Sequence, residues 1–465
     1  MIARAGERSA VRDYNRPYKH TLTTPIFVFP DRSRSMEFPE AKTVETMLEP
    51  VEFPRFATVE YDPPTPEVDD PERAAREALS DLPLDNVPEG ATIAVGVGSR
   101  GIHDLVPVTK AVVEALEGTF DPVIVPAMGS HGGATPEGQR ETLAALGITE
   151  EAVGCRIDAR MAVIELGETS AGEPIYFSQV ASEADAVLVI NRIKPHTNFT
   201  GEIESGLCKM LAIGLGKHRG AQAVHRDALS RGYVPAITDA LETIHEELPV
   251  LGGVALVENF EDRTAAIEGV RTKSLPNREA ELLERAREYM PTLPYVDIDV
   301  LVVDRIGKNI SGTGMDTNVI GRYEVLNADN PETPNIDRIV VRGLTEATHG
   351  NGQGIGLADL TTTSVLESLD LGQIYTNALT SGSLSKARLP VALPTDELAL
   401  TAAVSSIGSY DPERVRVAWI RDTGHLSTFR VSKALAEESI ENLSVTGYER
   451  LRFEDGSPTF EAVEE

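Results

Sequence analysis

The chain has 465 residues, 41% of them hydrophobic, which is material for two packed domains instead of one core. Its 73 acidic and 43 basic side chains leave a formal net charge of −30, a surface that repels phosphates and argues against nucleic acid as a partner. No run of about 18 apolar residues is present to span a membrane. The opening residues lack the apolar centre of a secretory signal, and two cysteines suit a reducing compartment, so a cytoplasmic protein is expected. Acid is spread along the whole chain, as in proteins adapted to a salty cytoplasm.

Residues 1–50 are polar and aperiodic and read as an N-terminal arm, followed by one α/β domain over 51–290 and another over 295–465. Asp70-Pro71 is an N-cap with proline at the first helical position, opening a helix through ERAAREAL. ATIAVGVGS then reads as a buried strand, HDLVPVTKAVVEALEG as an amphipathic helix, DPVIVPAMGS as a strand and TPEGQRETLAALG as a helix. Strand alternating with helix at this spacing predicts βαβ units on a parallel sheet. Two short β runs, AVIELG and PIYFSQ, precede strand ADAVLVINR, helix AITDALETIHEEL and strand VLGGVALVENF. After the charged helix REAELLERAREY, a break at Met290 to Pro294 leads into strands VDIDVLVVDRIG, DRIVVRGL and RVRVAWIRD. The expected fold class is α/β: two α/β domains with mostly parallel sheets and an active-site crevice between them.

In open parallel sheets, ligands gather beyond the carboxyl ends of the strands. Four loops there carry polar groups: Gly98 to Gly101, Met128 to Gly133, Arg192 to His196, and Gly307 to Arg322. If the first three strands are neighbours, Arg100, His131 and His196 share one crevice, although each alone is as readily a capping or loop-packing residue. Lys209 follows Gly206-Leu207-Cys208 and precedes Met210-Leu211, an apolar setting that would make its amine a nucleophile, or else a snorkelling helix lysine. His225 lies 16 residues further on, ~24 Å away along a straight helix. Gly214, Gly216 and Gly220 permit a reversal that would bring the two together. Gly214 to His218 is no P-loop, because Leu211 and His218 stand where glycine and Ser or Thr are needed. GSHGGATPEG, opening a helix, is a better anion candidate, and HGNGQGIGLAD offers either exposed amides or close backbone packing. His20, His103, His218 and His245 read as structural or surface residues.

Taken in order, these residues resemble the nickel-dependent lactate racemases and the broader set of 2-hydroxy-acid racemases and epimerases. The resemblance covers roughly Asp70 to Arg322 and rests on Ser99-Arg100, the GSHGGATPE loop, Lys194-Pro195-His196 and the glycine-lysine segment ending in His225. It implies an isomerase with a nickel-pincer nucleotide attached at Lys209 through a thioamide, Ser99, Gly129 and Ser130 beside that cofactor, and His225 as the metal ligand. It further implies His131 and His196 as the acid/base pair, with Arg100, Lys308 and Arg322 binding the substrate, a small-molecule 2-hydroxy acid other than lactate. Such chemistry suits these groups, because the C2 hydrogen is too weakly acidic for simple abstraction and racemisation needs a base on each face. Departures concern the substrate: Val97 stands in an acidic position, GEIES at Gly201 to Ser205 is inserted, and Gly321 and Arg322 replace a substrate-holding Gln and Lys, with Lys308 as a substitute. Asp316 and Asn318 match a family loop. Two other readings use the same crevice: a lyase or dehydratase on a sugar acid, and a non-catalytic ligand-binding relative.

Overall fold

Thr92–Val97 is a short run of Ile, Ala, Val and Gly buried on both faces, as the central strand of a parallel sheet must be. In the structure, a computed structural model that describes residues 37–463 except residue 327, this strand lies between Asp121–Pro126 and Ala186–Arg192. Val250–Glu258 extends the parallel set and Thr264–Arg271 closes the edge antiparallel. Apolar clusters cover both faces of this five-stranded sheet, one around Val189, Leu211 and Ile244, the other around Val95, Val112 and Ile190. Asp70 caps helix Pro71–Ser80 by accepting from the Arg73 N–H, as its sequence predicts.

The second sheet has nine strands. Val391–Leu393, Leu360–Thr362, Asn335–Val341, Asp297–Val303 and Val417–Ile420 run parallel in that order. Thr428–Ser432, Arg55–Tyr61, Leu443–Glu454 and Ser457–Ala462 continue it antiparallel. The fold is α/β with mostly parallel sheets at the two centres, and the chain from Phe38 onward forms one compact unit. Among the described residues, no helix is long and apolar enough to cross a membrane.

Two boundaries differ from expectation. The strand Arg55–Tyr61, assigned from sequence to the first domain, is paired on both sides within the second sheet. Its Phe56 packs edge-on against Trp419 at 6.1 Å and Phe460 at 5.5 Å, so burial of aromatic surface contributed late in the chain draws an early strand across. Part of the expected arm is also structured: helix Ala41–Glu45 buries Val44 in the same apolar cluster. Residues 1–36 of that arm, His20 included, lie outside the described residues.

Candidate active site

The carboxyl ends of the three neighbouring strands stand side by side, which meets the condition for Arg100, His131 and His196 to share a crevice. Close approach shapes each loop. A Cβ on Gly98 would lie 3.3 Å from Met210 Sδ and 3.4 Å from Asn191 Oδ1, so the Ser99-Arg100 turn runs against the Lys209 segment. Gly129 adopts φ +57° and donates its N–H to the Gly214 carbonyl at 3.1 Å. Buried Gln139 donates to the carbonyls of Gly129 at 3.0 Å and His131 at 3.4 Å. Ser99 Oγ and His131 Nδ1 are 2.5 Å apart, which orients the imidazole. Ser130 is half-buried in the same loop. The neighbouring helix Pro136–Ala145 starts with its own cap, because Thr135 Oγ1 accepts from the Gly138 N–H, so the suspected anion cradle is internally satisfied.

Lys209 ends a single helical turn, Leu207–Lys209, and is followed by a π-helical turn, Met210–Gly214, a distortion that concentrates at functional sites. Buried Glu279 accepts from the Cys208 N–H at 2.8 Å at the start of this turn. The Lys209 amine has no hydrogen bond or ion pair among the described residues. Burial, helped by Arg100 and opposed by Glu204, pulls its pKa down to about 7, so much of it is a free nucleophile near neutrality.

The helical path is broken before His225, but not at the glycines. Lys217 takes the left-handed conformation, φ +53°. Gly214, Gly216 and Gly220 instead give room to backbone oxygens of Ala127, Ala212 and Tyr176. Lys217 itself is fully buried and donates to the Pro126 carbonyl at 2.7 Å, which makes it a structural strut. A Cβ on Gly214 would sit 2.6 Å from the Ala127 oxygen. Gly214→Ala should therefore cost on the order of 2 kcal/mol in chemical unfolding and displace the loop bearing His131; unchanged stability would contradict that packing.

His225, on helix Lys217–Arg231, has Nδ1 3.0 Å from Tyr233 Oη. Tyr233 stacks on Phe199 with ring centroids 4.5 Å apart, and Phe199 meets the His196 ring at 4.7 Å. Tyr233 is thus 5.7 Å from His225 and 6.2 Å from His196, and this aromatic ladder joins the two histidines. Sequence reasoning missed Tyr233, whose only signal was its place after Gly232 in a helix start. Glu204 was also missed as a functional residue: fully buried, it accepts from the N–H groups of His196 and of Gly201 (3.0 Å) and from Arg287 at 2.6 Å, fixing the His196 loop.

The second sheet closes over the same loop. Thr317 Oγ1 donates to the Thr197 carbonyl at 3.0 Å and Asn318 Nδ2 to the His196 carbonyl at 3.4 Å. Lys194 and Asp316 pair at 3.8 Å. Asp316 and Asn318 therefore brace the crevice wall. Lys308 donates to the Gly312 carbonyl at 2.7 Å, and the Arg100 guanidinium comes within 3.8 Å of where a Cβ on Gly312 would lie. Arg322, expected to bind substrate, is corrected: its guanidinium is engaged by Asp359 and by the carbonyls of Leu357, Ile336 and Asp337. With those acceptors filled it is a strut of the second sheet. The HGNGQGIGLAD run resolves to close packing, since a Cβ on Gly354 would overlap the Thr313 oxygen at 1.7 Å.

Arg100, His131 and His225 keep an open face to solvent while protein surrounds their other sides, as on the walls of a crevice; Lys209, His196 and Lys308 are half-buried. Desolvation first, then Arg100, Lys209 and His225, lowers His131 to about 4. Desolvation and Lys209 take His225 to about 4, and burial with Lys209 and Lys386 pulls His196 well down. Arg100 is lowered by desolvation and Arg192, and Lys308 by desolvation and Arg100. Positive charge is thus gathered in a crevice of a strongly acidic protein, which favours anionic ligands. A histidine with a depressed folded pKa stabilises the fold fully above the unfolded value of 6.5, and that stability is lost as pH falls through 6.5 toward 4. Replacing His131 with asparagine should flatten the fall in unfolding free energy between those values; an unaltered slope would contradict the neutral imidazole.

The strand ends of this α/β protein thus bring together imidazoles, a guanidinium with no ion pair among the described residues, and a desolvated amine. Residues 100–233 match the family described as the lactate racemase N-terminal domain, so this part of the chain is similar to the lactate racemases. That relationship supports a racemase-like function in general. The lactate racemase apoprotein from Thermoanaerobacterium thermosaccharolyticum is similar at 13% identity and TM-score 0.44, over 79% of this chain and 88% of that one, a likeness too loose to carry further weight. No curated protein matches the chain.

Proposed function

We propose that the protein is a racemase or epimerase of a 2-hydroxy carboxylic acid, working by proton-coupled hydride transfer. The observation behind it is the gathering of two neutral imidazoles, His131 and His196, with the unpaired Arg100 guanidinium and the desolvated Lys209 amine at adjoining strand ends. Arg100 is free of any ion pair among the described residues, so a planar substrate carboxylate can take both of its donors, with Lys308 beside it. Each histidine then acts on the hydroxyl from its own wall, taking the proton as the C2 hydrogen leaves and restoring it on return.

The residues fit a nickel-pincer nucleotide. Lys209 offers a free amine for a thioamide bond. His225, with Nδ1 toward the Tyr233 hydroxyl, has Nε2 available to a metal, and neutral imidazole suits nickel. Among the described residues no group of three or more ligating side chains stands ready to hold a metal by itself, so the rest of the coordination would come from the cofactor. When bound, such a group supplies a hydride acceptor. Anionic substrate and cofactor would also offset the local positive charge and bring the two histidines back toward the pH range in which they exchange protons.

Intact-mass and metal analysis of protein produced alongside cofactor-synthesis enzymes tests the proposal. An adduct on Lys209 with bound nickel is expected; unmodified, nickel-free protein would remove it.

A further inference from the structure

Lys386, on the short helix Leu384–Ala387 of the second sheet's side, is buried at 1% exposure with no carboxylate among the described residues within ion-pair distance. A buried ammonium is costly unless its donors are used. Its donors go to the other lobe: Nζ bonds the Thr197 carbonyl at 3.0 Å and Asn198 Oδ1 at 2.6 Å. The Asn198 backbone N–H in turn donates to His196 Nδ1 at 3.1 Å. A ring nitrogen that accepts carries no proton, so the neutral His196 ring holds its hydrogen on Nε2. Glu204 below and Asn318 above fix the backbone on either side of the ring.

We propose that Lys386 is a positioning residue for His196, holding the Thr197-Asn198 turn so that the Asn198 N–H keeps the imidazole as its Nε2–H tautomer. In that state His196 gives a hydrogen bond to a ligand oxygen. It becomes a base at Nε2 only when its proton moves to Nδ1, which requires the Asn198 N–H to withdraw. The grip of Lys386 therefore decides whether His196 meets the ligand as donor or as acceptor. The consequence for turnover rests on the racemase reading above; the tautomer does not.

Nitrogen-15 NMR of the imidazoles in the full-length protein, with the His196 signals identified by their loss in His196→Gln, tests this directly. Wild type should show a protonated Nε2 and a bare Nδ1, Lys386→Met a mixture of tautomers, and Lys386→Arg a return to the wild-type pattern. Asn198→Ala, which deletes only the side-chain acceptor, should shift His196 the same way and covers the case in which Lys386→Met does not fold. In loaded enzyme, Lys386→Met should change kcat about tenfold with little change in KM. An Nδ1–H tautomer in wild type, or spectra unmoved in both variants, overturns the proposal. The expected tautomer shift in a protein without racemase activity upholds the positioning role and removes the racemase reading instead.

Discussion

Alanine at His131 or at His196 is expected to lower racemisation by about 10²–10⁴-fold in each case while nickel and the Lys209 adduct are retained. The two imidazoles come from different loops, one oriented by Ser99 and the other by the Asn198 N–H, so neither can replace the other. His225→Ala should behave differently, losing metal first and activity as a result, because its ring is tied to Tyr233. Tyr233→Phe, which keeps the stack on Phe199 but removes the hydroxyl, should weaken metal retention by roughly 10- to 100-fold. Metal analysis beside chiral turnover separates these roles. Equal metal loss from all three histidine variants would contradict the division between proton-transfer and ligand residues.

The largest stability effect should come from Glu204. Its carboxylate is buried, and Arg287 and the N–H groups of His196 and Gly201 all depend on it. Glu204→Leu would leave those donors unmatched around the loop that carries His196. A loss on the order of 3 kcal/mol in chemical unfolding is expected, since breaking a buried pair strands its partner. Arg287→Met should cost less, because two backbone donors still serve the carboxylate and burial already raises its pKa, which eases its protonation. A change below about 1 kcal/mol for Glu204→Leu would show that the loop is held by other means.

The parallel centre of the fold was legible from sequence because its strands are continuous apolar runs separated by amphipathic helices. Thr92–Val97, Asp121–Pro126, Ala186–Arg192 and Asp297–Val303 all stand where those runs predict. The antiparallel additions were not. Arg55–Tyr61 and Thr264–Arg271 are half-polar and owe their place to partners far along the chain. In the crevice, Arg100, His131, His196 and Lys209 were visible because strand ends and an apolar lysine setting are local signals. Glu204, Tyr233 and Lys386 were not, since each is important only through what it touches across loops. Arg322 shows the converse: a strand-end arginine has the right chemistry for substrate, yet its acceptors, Asp359 and three carbonyls, are supplied by tertiary contacts.

Chiral chromatography of single-enantiomer 2-hydroxy acids, incubated with nickel-loaded protein in deuterated water, tests the proposed chemistry most directly. Interconversion of one such acid with the original hydrogen largely kept at C2 is predicted. Extensive deuteration at C2, or no interconversion of any 2-hydroxy acid by protein carrying the Lys209 adduct, would contradict it.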